Sequence, residues 1–575
     1  MNDLLQKSFV AGVERVTAWA DLLDAINVYP VADGDTGRNL SVSLAPLRRA
    51  GAEKDKVVRQ LLMAARGNSG NIASQFFSAF YARAGWPHLK AAVQEGNARA
   101  WKAVGDPKLG TMLSVFNALS EILGRGDFVP DQKSADQILS HLERAVYETG
   151  DTLPKLKEAG VVDAGALGMY IFFEGFFRSL AGQTGHDRPV TDIFRDRLKI
   201  SSAFHETLEA GYCVDFVVRT DTSSADLVKM AGAEHSAVIL HEGDLYKIHL
   251  HTDNKEKIRA QMSAFGSMVN WEDDNLSAQI TQFLNAPATA RLHIMTDAAG
   301  SLTRDDAKRY GFTLLNSYLH VGETFLPETF FHPDELYRAM SAGVKASTSQ
   351  SSVFERHEYY AAAAARFEKV LYLCVGSAFT GNYNVALDWK KEHDPENRFW
   401  VVDTGAASGR LGVIVFATQQ YLTQTGDMEK TLAFAKNAVE TCEEYVFLEK
   451  LHYLAQGGRL SKTGAFFGDM LNMKPVISPQ PDGARKVGVV RNRKDQINMA
   501  LSKLAAALTS ESRALIMLEY SDNASDVAEF QEEVRKLYPQ AEIILQPLSL
   551  TSGAHMGPGT WGVAFLPIEG NKFKF

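Results

Sequence analysis

The sequence predicts a multidomain protein with an all-helical N-terminal domain, a small α+β middle domain and a C-terminal α/β domain. A chain of 575 residues is too long for one hydrophobic core, because single cores stop growing at roughly 250–300 residues. Up to about residue 180, apolar residues recur at intervals of three and four, which favours helices. After that point strand-like runs appear, first with short turns between them and then in alternation with helical stretches.

The helical domain is predicted over residues 1–190. The segment VVRQLLMAARGNSGNIASQFFSAFYARA has helical spacing and few β-branched runs. The opening segment MNDLLQKSFVAGVERVTAWADLLDAI has neither a basic leader region nor a small-residue cleavage site, so it is predicted to be an amphipathic helix of the fold. The most apolar stretch, from Gly165 to Gly182, contains Glu174 and is shorter than the roughly 20 clean residues of a membrane span. It predicts a buried helix.

The middle domain is predicted over residues 196–285 and the C-terminal domain over residues 290–575. In the first of these, YCVDFVVRT, SAVILHEG and LYKIHLHTD have the composition of strands joined by short turns. In the second, KVLYLCVG and RFWVVDTG alternate with helical stretches such as VIVFATQQYLTQ. This alternation is typical of βαβ units in a parallel sheet.

Composition and charge narrow the function classes. The chain is 45% hydrophobic and 22% charged, with a net charge of -9 and a pI near 6.0. Nucleic-acid domains carry a clustered basic field, so nucleic acid is not a predicted partner. The three cysteines are too few and too separated for a disulfide framework, which predicts a reducing cytoplasm as the location. No integral membrane segment is predicted.

The strongest local signal is the loop NVYPVADGDTGRNL, which places Asp33 and Asp35 two residues apart between glycines. Alternate carboxylates in a tight turn can point at a common centre, and magnesium prefers such oxygens together with those of a phosphate. The loop therefore predicts a magnesium–nucleotide site. A plain turn rich in Asp and Gly has the same local pattern.

Three further segments support a nucleotide site. In RGNSGNIASQ, the loop around Ser69 lies at a predicted helix start, where free backbone N–H groups and the helix dipole can hold phosphate. By itself GNSG is also a common turn. The segments KLGTMLSVFNAL, around Thr111, and AGVVDAGALG, around Asp163, complete the set.

In this order, the four segments resemble the DhaL-type kinase domain of the bacterial fatty acid kinases (FakA), over about residues 1–180. The resemblance implies an all-helical barrel with ATP and magnesium at one end. It implies that Asp33 and Asp35 are catalytic and are the main magnesium ligands, with the third ligand open between Asn27 and Asp24. The residues that it implies for binding the nucleotide and its magnesium are Asn27, Thr36, Gly37, Asn39, Asn68, Ser69, Gly70, Gly110, Thr111, Met112 and Asp163.

Cys213 in GYCVDF and His249 with His251 in KIHLHTD form a second candidate site. Residues two apart on a strand face the same side, so the two histidines could bind one ion while Cys213 arrives from a neighbouring strand. Spacing alone also fits a solvent-facing His pair and a buried core Cys. The segment resembles the middle domain of FakA proteins, and this resemblance implies zinc at the three residues.

From about residue 291 to the end, the chain resembles the DegV family of fatty-acid-binding proteins, which includes FakB. The resemblance rests on TDAAGSL, KASTSQSS, GSAFTGNY, VVDTGAASGRLG, LAQGGRLSKTGAFFG, MKPVISP and GAHMGPGTWG. It implies an α/β fold with two lobes. It also implies that Thr348, Thr380, Arg459 and His555 surround the fatty acid head group.

Physical reasoning on this half agrees with the resemblance. A carboxylate at the mouth of an apolar tunnel needs hydroxyl or N–H donors and preferably a cation, because burying an unpaired charge is very costly. The candidates for binding it are Thr348, Ser349, Ser377, Thr380, Arg459 and His555. Read alone, TSQSS and FTGNY also fit turns that cap helices. Departures from the family pattern, Ser351 for proline in TSQPS and FTGNY for LSGTY, leave the chain-length preference open.

The resemblances together imply a fatty acid kinase with both halves in one chain, a phosphotransferase that converts a fatty acid carboxylate to an acyl phosphate with ATP. The expected partners are ATP, a fatty acid and a second copy in a homodimer, with transient contact to a membrane surface for lipid exchange. Two alternatives stay open. A dihydroxyacetone-type small-hydroxyketone kinase gives the C-terminal motifs no role, and a lipid carrier or sensor with a degenerate kinase half conflicts with the intact DGDTG.

Overall fold

The computed structural model describes residues 3–49, 53–83, 85, 88–126, 129–183, 188–206, 210–220, 225–285, 291–450, 452–456 and 473–568. The chain divides into two compact units, Met1–Ala286 and Pro287–Phe575. The first unit is helical up to residue 197 and then contains an antiparallel sheet, whereas the second alternates strands and helices. The predicted fold class, a multidomain chain with a helical start and an α/β end, is confirmed.

Helices of the first unit pack around one central helix. The helices are α1 (Asp3–Ala18), α2 (Ala20–Ala25), α3 (Thr36–Leu44), α4 (Lys54–Ala64), α5 (Gly67–Arg83), α6 (Leu89–Ala103), α7 (Met112–Gly124), α8 (Gln132–Thr152), α9 (Pro154–Ala159), α10 (Ala164–Leu180) and α11 (Val190–Ile193), with 3-10 turns at Ala45–Arg48 and Arg195–Arg197. Helix α10 is mostly apolar, and nearly every residue in it is buried. It contacts α1, α2, α3, α7 and α8, which explains that burial.

The buried charge in α10 has a partner. The Arg15 Nε of α1 donates to Glu174 Oε2 at 3.1 Å, and both side chains are buried. A buried carboxylate without such a partner would be strongly destabilising, so the pair allows α10 to lie in the core. The predicted buried helix is confirmed, and no helix among the described residues has the length and apolar character needed to cross a membrane.

The sheet of the first unit has the strand order β2-β3-β1-β4. Its elements are β1 (Tyr212–Arg219), β2 (His235–Glu242), β3 (Leu245–Thr252) and β4 (Ser267–Asn275), with α12 (Ala225–Ala231), α13 (Lys255–Ser263) and α14 (Leu276–Leu284). The strands predicted from YCVDFVVRT, SAVILHEG and LYKIHLHTD are all present.

Both faces of this sheet are covered, and that decides where the polar residues of β1 point. Val214, Phe216 and Val218 lie in a core with residues of α12 and α13. The alternate residue Val217 packs in a cluster that includes Leu62 of α4 and Ala103 of α6. Because side chains alternate along a strand, the odd-numbered residues of β1 lie on the face that packs against α4 and α6.

The second unit contains a parallel four-stranded sheet, a mixed six-stranded sheet and a small three-stranded sheet. Their strand orders are β11-β10-β5-β6, β14-β13-β12-β17-β15-β16 and β8-β7-β9. The strands are β5 (Leu292–Asp297), β6 (Thr313–Leu315), β7 (Tyr318–Val321), β8 (Thr324–Pro327), β9 (Ala346–Ser349), β10 (Lys369–Cys374), β11 (Phe399–Asp403), β12 (Glu443–Phe447), β13 (Lys474–Gln480), β14 (Gly483–Val490), β15 (Ala514–Tyr520), β16 (Glu542–Pro547) and β17 (Trp561–Pro567).

The helices of the second unit follow many of these strands, as the alternating pattern predicted. They are α15 (Arg304–Tyr310), α16 (Pro333–Ser341), α17 (Val353–Arg366), α18 (Asn382–His393), α19 (Ser408–Thr425), α20 (Met428–Thr441), α21 (His452–Gln456), α22 (Arg493–Ala507), α23 (Ala524–Leu537) and α24 (Leu550–Met556), with 3-10 turns at Ala298–Gly300 and Glu328–Phe330. One core joins residues of α19 to residues of both larger sheets.

Two carboxyl groups lie in this core without solvent contact. Glu444 accepts hydrogen bonds from the Ser408 hydroxyl and from the backbone N–H groups of Gly409 and Arg410. Glu519 has fewer donors, so burial and the charge of Glu444 raise its pKa well above the usual range. We therefore assign the shared proton to Glu519 and the negative charge to Glu444.

Candidate functional site

The candidate site is a cavity of about 450 Å³ in the N-terminal unit, where loops of the helical region meet the sheet. Sequence-predicted residues from both regions line it. They are Asn27, Asp33, Asp35, Thr36, Asn68, Ser69, Thr111, Met112, Asp163, Cys213, His249 and His251. The carboxylate loop and the Cys–His–His set, which the sequence treats as separate features, therefore open onto the same space.

The N-termini of four helices meet at this cavity. Helix α3 begins at Thr36, α5 at Gly67, α7 at Met112 and α10 at Ala164, and lining residues come from the first turn or the cap of each one. Unpaired backbone N–H groups and the positive end of the dipole make a helix N-terminus a binding site for anions. In α3 and α10, the side chains of Asn27, Asp24 and Asp163 already accept from first-turn N–H groups. What all four helices contribute is the positive end of the dipole, which suits a ligand that carries phosphate charge.

Asp33 and Asp35 lie side by side at the entrance to α3. Burial and repulsion from the Asp35 carboxylate raise the pKa of Asp33 well above the usual range. Two carboxylates held this close destabilise each other unless a proton or a cation lies between them. The pair therefore has the chemistry of a site for a hard divalent cation.

Asn27 and Asp24, the two candidates for the third magnesium ligand, form hydrogen bonds that stabilise the carboxylate loop. The Asn27 amide nitrogen donates to Asp33 Oδ1 at 2.9 Å and to the Val31 carbonyl at 3.0 Å, while its oxygen accepts from the Thr36 backbone N–H. Asp24 accepts from the Gly37 N–H at 2.7 Å and pairs with Arg38. Both side chains hold the loop in the shape that brings the two carboxylates together.

Four predicted residues of these loops, Gly37, Asn39, Gly70 and Gly110, are not among the lining residues. Gly67, which does line the cavity, has a φ of +59° and lies against Asn39. A Cβ added at Gly67 would be 3.0 Å from Asn39 Cγ and would overlap its amide nitrogen. Asn39 and the first turn of α5 are thus packed in direct contact, behind Asn68 and Ser69.

Asp163 joins two of the converging helices. Its side chain caps α10 by accepting from the Ala166 N–H at 2.7 Å, and the nearby backbone N–H of Met112, at the start of α7, favours the charged form of the carboxyl group. Burial raises the pKa of Asp163 to about 7. The predicted motifs around Thr111 and Asp163 are neighbours in the structure, since a Cβ added at Gly165 would contact Met112.

Cys213, His249 and His251 form a compact set. Their candidate ligand atoms lie within 4.8 Å of one another, and all three residues are buried. The antiparallel register of β1 and β3 explains this, because Cys213 lies opposite His251 and Asp215 lies opposite His249. The burial excludes the interpretation of a solvent-facing His pair.

The protonation of this set suits a metal. Burial and the neighbouring His249 lower the pKa of His251 to about 3, which leaves the imidazole neutral. Burial and the charge of Asp215 raise the pKa of the Cys213 thiol well above its usual value, so a thiolate there needs a cation. His249 Nδ1 is 3.0 Å from Asp215 Oδ2 and 3.8 Å from Cys213 Sγ, while its buried Nε2 has no hydrogen-bond partner among the described residues.

Sequence reasoning missed Asp215, Tyr29 and Lys108. Tyr29 and Lys108 line the cavity, and the Lys108 side chain is half exposed to solvent. Asp215 follows Cys213 by two positions on a strand, so its place on the same face was available from the alternation in YCVDF. Lys108 begins the KLGTM segment, but nothing in the local pattern indicates the direction of its side chain.

In the C-terminal unit, the structure brings together part of the predicted head-group set. Thr348 of β9 and His555 of α24 are hydrogen-bonded, with 3.0 Å between Oγ1 and Nε2. The Ser349 hydroxyl lies 3.1 Å from His320 Nε2. Ser377 is exposed, and its backbone N–H donates to Asp403.

Two members of that set remain. The Thr380 hydroxyl accepts from the Asn382 backbone N–H at the start of α18, as a capping turn would. Arg459 lies outside the described residues.

Three family models match the chain. A DAK2 domain model matches residues 30–178, and a model of the FakA-like middle domain of fatty acid kinase matches residues 209–283. The DegV family model, described as an uncharacterised protein, matches residues 291–568.

Curated relatives match part of their own length. Protein YloV of Bacillus subtilis (strain 168) is 27% identical over 366 residues, which cover 56% of this chain and 65% of YloV. An uncharacterized protein of Staphylococcus haemolyticus is 28% identical over 304 residues, 48% of this chain and 55% of that protein. The chain thus spans 55% to 65% of the length of these two relatives.

Solved structures of DegV proteins resemble part of the chain. A fatty-acid-binding DegV family protein from Thermus thermophilus is 25% identical, with a TM-score of 0.45, and the match covers 48% of this chain and 100% of that one. DegV of Bacillus subtilis, a fatty acid binding protein, is 18% identical with a TM-score of 0.45, at 48% and 100% coverage.

Proposed function

The chain joins a DAK2 domain, a FakA-like middle domain and a DegV domain, and on that basis we propose that it is a fatty acid kinase. In the proposed reaction, an oxygen of the fatty acid carboxylate bonds to the γ-phosphorus of ATP. The bond from that phosphorus to the β-phosphate oxygen breaks, and the products are an acyl phosphate and ADP. The observation that most strongly supports this proposal is the cavity at which Asp33, Asp35 and the N-termini of four helices meet.

In this proposal the cavity binds the ATP phosphates and their magnesium. Asp33 and Asp35 would hold magnesium, because their mutual repulsion favours a cation between them. Bound there, magnesium would neutralise charge on the phosphate oxygens. The first turns at Asn68, Ser69 and Thr111 would bind phosphate through backbone N–H groups.

Lys108 also lines the cavity, where it forms an ion pair with Asp106 at 3.2 Å. Phosphoryl transfer depends mainly on positioning and on neutralising charge, so residues of these kinds suffice for the catalytic role. A fatty acid carboxylate is ionised near neutral pH, and the reaction therefore requires no strong general base.

We further propose that Cys213, His249 and His251 hold zinc. Three buried N and S donors within 4.8 Å match the ligands that zinc prefers. The Asp215 carboxylate contacts His249 at 3.0 Å, and a carboxylate beside a histidine ligand is usual at zinc sites. Zinc bound there would supply a positive charge on the wall of the nucleotide cavity.

The fatty acid would be held by the C-terminal unit. Thr348 and His555 form a hydrogen-bonded donor pair of the kind that a carboxylate head group needs. Thr380, Ser349, Ser377 and Arg459 remain the other proposed contributors. This assignment follows the resemblance of the C-terminal motifs to the DegV family.

The experiment that tests the proposal measures acyl phosphate directly. The full chain is incubated with ATP, magnesium and oleate, and acyl phosphate is trapped with hydroxylamine as the hydroxamate. The parent chain should form hydroxamate, and Asp35→Asn should abolish it because one of the two magnesium carboxylates is lost. Asp55→Asn, which changes an exposed carboxylate in the first turn of α4, is the matched control and should retain activity.

Dihydroxyacetone in place of oleate tests the competing kinase activity. Phosphorylation of dihydroxyacetone without any hydroxamate from oleate would refute the proposed acceptor. ATP turnover absent with both acceptors would refute the kinase proposal itself.

A further inference from the structure

Asp215 contacts two parts of the site at once. Its Oδ2 lies 3.0 Å from His249 Nδ1 and accepts from the Gly67 backbone N–H at 2.9 Å. Its Oδ1 accepts from the Asn71 amide at 3.0 Å and lies 3.2 Å from the Lys247 ammonium. One buried carboxylate thus touches a proposed zinc ligand and the first turn of helix α5.

The first turn of α5 is the part of the helix that lines the nucleotide cavity, through Gly67, Asn68 and Ser69. The Gly67 N–H would otherwise be one of the unpaired donors of the helix N-terminus. Asp215 uses that donor and thereby fixes where the next two N–H groups point. Movement of the carboxylate would shift the surface that faces the phosphates.

The same carboxylate orients the His249 ring. His249 Nδ1 lies 3.0 Å from Asp215 Oδ2 and 3.8 Å from Cys213 Sγ, so Asp215 holds the ring against the proposed metal set. A metal bound by His249 would in turn fix the ring, and the ring would fix Asp215. The position of the His249 ring and the position of the first turn of α5 therefore both depend on the Asp215 side chain.

A second link between the sheet and α5 exists, but it is weaker. Arg66, just before α5, forms an ion pair with Glu272 on β4, and the Glu272 side chain is 47% exposed. Exposed ion pairs contribute little, whereas a buried carboxylate with several donors holds its position firmly. Asp215 is accordingly the stronger of these two polar connections.

We infer that Asp215 is a positioning residue that couples zinc binding at Cys213, His249 and His251 to nucleotide binding at the start of α5. The inference rests on the proposed function, since it takes the cavity as the nucleotide site. Because coupling between two sites is reciprocal, zinc raises nucleotide affinity by the same factor by which nucleotide raises zinc affinity.

The test measures binding rather than turnover. Dissociation constants of a non-hydrolysable ATP analogue are measured by calorimetry on the full chain with magnesium, before and after zinc removal by a chelator that spares magnesium. Zinc removal should weaken analogue binding by about tenfold, within the usual range of coupling between sites. Zinc affinity, measured by competition with a fluorescent chelator, should rise by the same factor when the analogue is present.

The coupling factor is the ratio of the analogue dissociation constants without and with zinc. Asp215→Asn should lower this factor to the part that the zinc charge on the cavity wall contributes by itself, with the analogue still able to bind. Glu272→Gln is the matched control, because it breaks the exposed link to the same loop and should leave the factor unchanged. If Asp215→Asn fails to fold because Lys247 is left with an unpaired buried charge, Asp215→Asn with Lys247→Met removes both charges. The same loss of coupling is expected in the double variant.

The possible outcomes distinguish a failure of the coupling from a failure of the proposed kinase function. Equal analogue affinity with and without zinc, or full coupling in the folded Asp215 variants, would overturn the inference while the kinase proposal stands. Failure of the chain to bind any zinc would also overturn it. Failure to bind the analogue under every condition would overturn the proposed function and the inference together.

Discussion

Replacing Gly67 by alanine tests whether the first turn of α5 is shaped for a nucleotide. Gly67 has a φ of +59°, a conformation that alanine adopts only with strain. The new methyl group would also meet Asn39, whose Cγ would be 3.0 Å away, so the amide of Asn39 must move. The substitution therefore disturbs the helix start and a predicted nucleotide-binding residue at the same time.

The expected magnitudes separate these two effects. Left-handed backbone costs alanine roughly 1–2 kcal/mol in the free energy of unfolding. Gly160 provides the matched control, since its φ is +71° and no atom lies within 4 Å of an added Cβ. Gly67→Ala and Gly160→Ala should lose similar stability, because Asn39 is a short side chain that can turn away.

Nucleotide affinity should distinguish the two variants. Loss of one charge-assisted hydrogen bond to phosphate costs about 1.5–3 kcal/mol, so Gly67→Ala should bind the ATP analogue roughly ten- to a hundredfold more weakly. Gly160→Ala should bind it like the parent chain. Urea unfolding and calorimetry on the same samples provide both quantities. Parent-like binding by Gly67→Ala would refute the role assigned to this turn.

Two further predictions concern the C-terminal unit. The raised pKa of Glu519 contributes stability that is complete below its unfolded pKa and is lost as pH rises through the folded pKa. Glu519→Gln can still donate to Glu444. Above roughly pH 4.5, its free energy of unfolding, measured with urea, should therefore rise relative to that of the parent chain by up to about 1.4 kcal/mol per pH unit. An equal dependence of the two free energies on pH would contradict the assignment of the proton. Thr348→Val removes the hydroxyl beside His555 and should weaken oleate retention by roughly two- to tenfold in a fluorescent displacement assay, whereas unchanged retention would exclude Thr348 from the head-group site.

Much of the fold was predictable because it depends on local periodicity. The strand-like composition of YCVDFVVRT and LYKIHLHTD predicted β1 and β3, and the apolar stretch from Gly165 to Gly182 predicted the burial of α10. Strand β4 was not predicted, since its sequence SMVNWEDDN is rich in charge. It lies at the edge of the sheet and is partly exposed, so its side chains do not need to be apolar.

The sequence by itself determined which side chains share an element and a face: two carboxylates in one tight loop, and two histidines on one side of a strand. It could not determine that Asp33 and Cys213 open onto the same cavity, or that Asp215 reaches Gly67 across 148 positions of the chain. Such contacts depend on which face of the sheet packs against which helices, and that choice minimises exposed apolar surface over the whole unit. A local pattern describes neighbours on one strand or helix, and only tertiary packing decides which of those elements meet.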